Sequence, residues 1–225
     1  MELKIIRLQY EPRIGVSYGH TSVESFKHVD LKNPNNYVQT MIGVGEHLTL
    51  NTDKRKSSTF ASRLKWEFPS EMLDFLDGHS ILRGSDYSDC EIIKYEVGDF
   101  FTCHRDTIVS DCMGRGEHKY TCLVYGTFEQ EDGYFEGGEL IFRHPEKLYD
   151  ICIDLSNEIK NNKYVVVVFS VDMWHEVLPI KNGTRYVLKK PLFVKTPTPA
   201  VPINVDKLEG DGGFQSMLDV YAADY

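Results

Sequence analysis

The chain predicts a mainly β protein built on a sandwich or barrel. Two observations carry that prediction. From Cys90 to about Lys195 the sequence falls into short runs rich in Val, Ile, Phe and Tyr, separated by Gly, Asn and Asp, with almost no helical pattern between them. The 225 residues, 41% apolar and 26% charged, have the composition of one globular domain, or at most two, able to bury a core of its own.

The elements follow in order. Thr21-Ser22-Val23-Glu24 has capping-box spacing ahead of Val23, Phe26 and Val29, which predicts a short helix ended by Asn33-Pro34-Asn35-Asn36. Residues 54–60 (KRKSSTF) are polar and read as an exposed strand or loop. Pro69-Ser70-Glu71 ahead of Met72, Leu73, Phe75 and Leu76 predicts a two-turn helix stopped by Gly78. The expected strands are Glu91–Val97, Tyr120–Phe128, Glu139–Arg143, Tyr164–Ser170, His175–Ile180 and Arg185–Val194. Thr196–Pro202 reads as an extended, proline-punctuated linker, and Phe214, Met217, Leu218 and Tyr221 as one short amphipathic helix. This gives N-terminal supporting α/β elements over residues 1–87, a β core over 88–195, and a linker and tail over 196–225.

Charge and composition narrow the function. Lys plus Arg number 25 against 34 Asp plus Glu, a net charge of −9, which disfavours a nucleic-acid partner. The longest apolar run, Tyr164–Phe169, is far short of a membrane span, and the charged start MELKIIRLQYEP does not read as a signal peptide. Five cysteines without a CxxC pair read as reduced thiols. The expected location is cytoplasmic.

The chemistry concentrates in Tyr95-Glu-Val-Gly98-Asp-Phe-Phe-Thr-Cys-His104-Arg-Asp106. His104 and Asp106 stand two apart, so an extended strand sends both side chains from one face, a two-ligand claw for a divalent metal. Alone, that pair is a weak signal that surface polar residues also produce. Tyr164–Ser170 then leads into Trp174-His175-Glu176-Val177-Leu178-Pro179, adding a second histidine. Two histidines and one carboxylate make the facial triad that holds non-haem Fe(II) with open positions. Ten residues on, Arg185 lies in an apolar strand, where a guanidinium needs an anion. Thr121-Cys-Leu-Val-Tyr125 and Gly137-Gly138-Glu139-Leu140-Ile-Phe142 complete the set. For His175 and Arg185 to share a face, Ile180 pairs with Thr184 across Lys181–Gly183, a type I turn with Gly183 at positive φ.

In this order the motifs resemble the iron(II)- and 2-oxoglutarate-dependent dioxygenases, in the branch of the prolyl 4-hydroxylases, over about residues 88–195. The resemblance implies a double-stranded β-helix (jelly roll) core with a few N-terminal helices packed on it. It implies Fe(II) held by His104, Asp106 and His175, with 2-oxoglutarate as cosubstrate and O2 as oxidant. Arg185 would pair with the distal carboxylate of 2-oxoglutarate, Tyr125 would hydrogen-bond it, and Tyr95 would reach the cosubstrate near the metal. Ascorbate enters as the reductant that keeps the iron ferrous. The implied activity hydroxylates an unactivated C–H bond, with peptidyl proline as the target the branch suggests, releasing succinate and CO2. The chain departs from the branch at the arginine often found before the threonine strand; the nearby residues are Arg115, His118 and Lys119.

A peptide or protein fits an open rim formed by Lys54–Phe60 and Thr107–Lys119 better than a small molecule does. No nucleic-acid or membrane partner is expected, and Pro191 stands where a nucleic-acid demethylase would carry a second arginine. An oxygenase acting on a small molecule and a non-catalytic interaction domain on the same fold are the alternatives. The sequence leaves the oligomeric state open.

Overall fold

The computed structural model describes residues 2–9, 14–16, 34–40, 50–60, 64–66, 68–82, 90–106, 108, 116–126, 135–143 and 150–195. All lie within one compact unit, Met1–Lys195. The expected helix after Thr21, the linker Thr196–Pro202 and the tail helix around Met217 lie outside the described residues.

The N-terminal elements are β1 (Leu3–Leu8), β2 (Ile14–Val16), a 3-10 turn at Pro34–Asn36, β3 (Tyr37–Gln39), β4 (Arg55–Lys56), β5 (Ser58–Phe60), β6 (Leu64–Trp66) and α1 (Ser70–Gly78). There follow β7 (Glu91–Tyr95), β8 (Phe100–His104), β9 (Gly116–Gly126), β10 (Glu136–Gly137), β11 (Leu140–Arg143) and β12 (Ile151–Ile153). The remainder is α2 (Leu155–Asn161), β13 (Tyr164–Ser170), β14 (Trp174–Val177), β15 (Ile180–Asn182) and β16 (Arg185–Lys195). A seven-stranded sheet runs β1-β13-β9-β16-β7-β5-β3 and a five-stranded one β12-β11-β14-β8-β4; every pairing is antiparallel. From β7 onward the chain alternates between the two sheets, β7 to β8 to β9 and β13 to β14 to β16. This is the jelly-roll winding.

Why Tyr164–Ser170 carries no polar alternation is visible in its two faces. Val165, Val167 and Phe169 face the core between the sheets, while Tyr164, Val166 and Val168 join the layer under α1. Both faces are covered, so an unbroken apolar run is the sequence of this strand. On β16 the same period sends Val187 inward and Tyr186, Leu188 and Leu192 outward.

Four expectations are corrected locally. Helix α1 ends through Ser80, at φ 54, and not through Gly78: Ser80 N–H donates to Asp77 O at 3.1 Å and Ile81 N–H to Leu76 O at 2.8 Å, a Schellman arrangement. Helix α2 was not expected; the Asp154 side chain caps it by accepting from Asn157 N–H at 3.1 Å, and Leu155 and Ile159 bury one stripe. The run His175–Ile180 is two strands, because the chain changes partners at Leu178-Pro179: Leu178 N–H donates to Glu139 O and Pro179 O accepts from Gly138 N–H, both at 3.1 Å. Gly183 has the expected positive φ of 74, but Ile180 pairs with Gly137 of β10 rather than with Thr184.

Among the described residues, no helix is long and apolar enough to cross a membrane.

Candidate metal centre and cosubstrate pocket

His104 closes β8 and His175 sits in β14, and the two are directly paired across the small sheet, their ring centroids 4.2 Å apart. Asp106 follows two residues later, and its ligand atom lies with those of His104 and His175 within 4.8 Å of one another. The local contacts fix how each donor is presented. His104 Nδ1 lies 2.8 Å from Thr102 O and His175 Nδ1 lies 3.0 Å from Met173 O, so each ring donates from Nδ1 and keeps Nε2 as a free acceptor. Phe101 stacks on His104 at 3.5 Å and Phe169 packs edge-on against His175 at 4.7 Å, which holds both rings.

Burial, with His175 nearby, lowers the pKa of His104 to about 3, and burial also lowers that of His175. Both imidazoles are therefore neutral at physiological pH, the form that binds a metal. For Asp106 burial works toward the acid form, but the Lys189 ammonium, His175 and the Thr121 hydroxyl outweigh it and hold the carboxyl below its usual range. Lys189 Nζ lies 2.7 Å from Asp106 Oδ1, and Thr121 Oγ1 donates to Asp106 Oδ2. Two neutral imidazoles and one carboxylate fit a divalent metal of intermediate softness.

Arg185, Tyr125 and Tyr95 face the same pocket from the large sheet, an open space of about 370 Å³ that also takes in His104, Asp106 and His175. Arg185 is 1% exposed; its Nη1 donates to Gly138 O at 2.6 Å, while Nε and Nη2 have no hydrogen-bond partner among the described residues. Its guanidinium carbon lies 4.3 Å from the Tyr95 ring centroid and 5.6 Å from that of Tyr125. Burial pushes the Tyr125 phenol up against the opposing pull of Arg185, so it stays a neutral donor. A buried cation with two unpartnered nitrogens beside a neutral phenol fits a carboxylate. The whole arrangement therefore fits a metal at one end and an anion at the other.

Residues 90–190 match the 2OG-Fe(II) oxygenase superfamily. The match spans less than half of the chain. The chain is also similar to three solved structures. A Pseudomonas putida prolyl-4-hydroxylase is 18% identical, over 64% of this chain and 75% of that one, with a TM-score of 0.40. A Trichoplax adhaerens prolyl hydroxylase, solved with a hypoxia inducible factor oxygen degradation domain peptide fragment, is 18% identical over 69% and 70%, at 0.43. A viral collagen prolyl hydroxylase from Paramecium Bursaria Chlorella virus-1 in its 2OG complex is 17% identical over 64% and 82%, at 0.36. No curated protein sequence matches the chain.

The pocket also contains side chains that sequence reasoning passed over. Lys189 was not singled out, although the two-residue period of β16 puts it on the face of Arg185 and Val187. Arg55, from the segment expected at the rim, lines the pocket itself. Of the residues near the threonine strand, His118 is buried with its Nε2 3.1 Å from Tyr120 O, Lys119 pairs with Glu117, and Arg115 lies outside the described residues.

Proposed function

We propose that this protein is an Fe(II)- and 2-oxoglutarate-dependent dioxygenase that hydroxylates an unactivated C–H bond of a peptide or protein, with peptidyl proline as the target. One observation carries the reading: the triad and the two unpartnered nitrogens of Arg185 open into one pocket. His104 and His175 offer Nε2 and Asp106 a carboxylate oxygen to Fe(II), while Thr121 and Lys189 orient Asp106. Arg185 receives the distal carboxylate of 2-oxoglutarate through Nε and Nη2, with the Tyr125 hydroxyl as a further donor. The Tyr95 ring packs against the guanidinium, 4.3 Å from its carbon to the ring centroid. Ile93, Leu123 and Val187 wall the pocket with apolar surface and limit water around the reacting atoms.

When bound, Fe(II) and 2-oxoglutarate supply the oxidation, in which one atom of O2 enters succinate, the other enters the C–H bond, and CO2 leaves. Ascorbate serves to keep the iron reduced in the assay. The test is mass spectrometry of proline-containing peptides incubated with protein, Fe(II), ascorbate and 2-oxoglutarate. A product heavier by one oxygen on proline, absent without 2-oxoglutarate, supports the reading. Succinate release driven only by free small molecules overturns the peptide substrate.

A further inference from the structure

The pocket carries more positive charge than the proposed metal and cosubstrate account for. Its charged lining, among the described residues, is Arg55, Arg185 and Lys189 against the single carboxylate of Asp106. A divalent metal and a doubly ionised 2-oxoglutarate cancel each other, so a surplus of two positive charges remains. Locally this is the reverse of the chain's net charge of −9.

Arg55 is held in place and still has donors free. Its guanidinium carbon lies 4.6 Å from the Phe101 ring centroid, and Phe101 in turn stacks on His104. Arg55 Nε donates to Ser57 Oγ at 2.9 Å, while its two amino groups make no hydrogen bond or ion pair among the described residues. Lys189 has one partner in the pocket, Asp106. A divalent cation on Asp106 sets like charge beside that ammonium, which then gains from a second anion.

We propose that Arg55 and Lys189 form an anion-recognising wall of the substrate site, so that the hydroxylated group stands next to a carboxylate. Resting on the peptide reading above, this means an Asp or Glu side chain beside the target residue. The Arg55 fork matches a carboxylate bidentately, and Lys189 adds a point charge nearer the metal.

The test uses three proline-containing peptides that differ only in a Glu, Gln or Lys beside the proline. Their binding is measured by fluorescence anisotropy to protein loaded with Fe(II) and 2-oxoglutarate under nitrogen, where no turnover occurs. Turnover in air is measured separately. The Glu peptide is expected to bind about 10-fold or more tighter than the Gln peptide, with the Lys peptide weakest and the spread shrinking as salt rises. Arg55→Gln should narrow the spread and leave 2-oxoglutarate affinity unchanged. Arg55→Glu should transfer the preference to the Lys peptide, a gain that a misfolded variant cannot show. Lys189→Met should weaken the Glu peptide more than the Gln peptide, while Mn(II) titration reads separately the loss of metal that follows from its contact with Asp106.

Equal binding of all three peptides overturns the inference. So does a loss confined to 2-oxoglutarate affinity in Arg55→Gln and Lys189→Met, which would assign these cations to the cosubstrate. If no peptide is turned over but small carboxylic acids are, and their amides are not, the peptide reading fails while the anion wall stands. Preference for the amides overturns both.

Discussion

Arg185 and Tyr95 are paired across neighbouring antiparallel strands, and the guanidinium carbon lies 4.3 Å from the phenol ring centroid. The ring covers one face of a fully buried cation, and Gly138 O takes one of its nitrogens at 2.6 Å. Lysine in this position keeps a charge but loses the planar fork that Nε and Nη2 present. Arg185→Lys is therefore expected to raise the 2-oxoglutarate concentration at half-saturation about 10-fold or more, with a smaller effect on metal affinity. Titration of 2-oxoglutarate against succinate release, beside Mn(II) binding, checks this. An unchanged cosubstrate requirement would remove Arg185 from the site.

The metal assignment makes a graded prediction. His175→Ala removes one of three proposed ligands and should abolish Fe(II)-dependent succinate release with circular dichroism unchanged. Thr121→Val keeps the shape and loses only the hydroxyl that Asp106 Oδ2 accepts from. It is expected to weaken Mn(II) binding about 10-fold, as loss of partners one step out from a metal does. Wild-type turnover in His175→Ala would refute the triad.

The extent to which the sequence was legible follows from how each signal is encoded. Strand β13 was readable end to end because both of its faces are buried, so its apolar run has no ambiguity of register. His104, Asp106, His175 and Arg185 were readable because the spacing within each motif survives in the strand geometry that brings them together. Helix α2 was not, since seven residues offer only one cap and two buried positions. Lys189 escaped because a lysine four residues past Arg185 looks like any other surface lysine until Asp106, 83 positions away, arrives beside it. The pairing of Ile180 with Gly137 escaped for a related reason, being a contact between distant segments that no local turn rule specifies.

Acid should destabilise the metal-free protein. Burial lowers the pKa of His104 from the ordinary 6.5 to about 3, and lowers that of His175 as well. Between those values the unfolded chain takes up protons that the folded one refuses, so the contribution is complete above about pH 6.5 and is lost as pH falls toward 3. Asp106, also lowered, adds a further loss below the usual carboxylate range. The melting temperature without metal should fall steadily from pH 7 to pH 4. Metal affinity should fall less between pH 7 and pH 5 than the drop of about 25-fold that a histidine of ordinary pKa would cause. A drop of that size would show that the rings are not neutral in the folded pocket.

Gly138 joins Arg185 to the segment after β14 and tests whether the backbone itself is specified. It has φ +64, a region that L side chains rarely adopt, and its N–H donates to Pro179 O while its carbonyl accepts from Arg185. A Cβ there would stand 2.4 Å from Ile180 Cδ1 and 3.2 Å from Arg185 Nη1. The Ile180 methyl is the end of a flexible side chain and can turn away; the backbone angle and the guanidinium cannot adjust so easily. Gly138→Ala is therefore expected to destabilise by about 1–3 kcal/mol and to weaken 2-oxoglutarate binding. Adding Ile180→Val relieves only the side-chain contact, so the double variant should recover little of the cosubstrate affinity. Thermal denaturation and 2-oxoglutarate titration of both variants check this. Full recovery in the double variant would mean that crowding at Ile180, and not the backbone that carries the Arg185 acceptor, is what demands glycine.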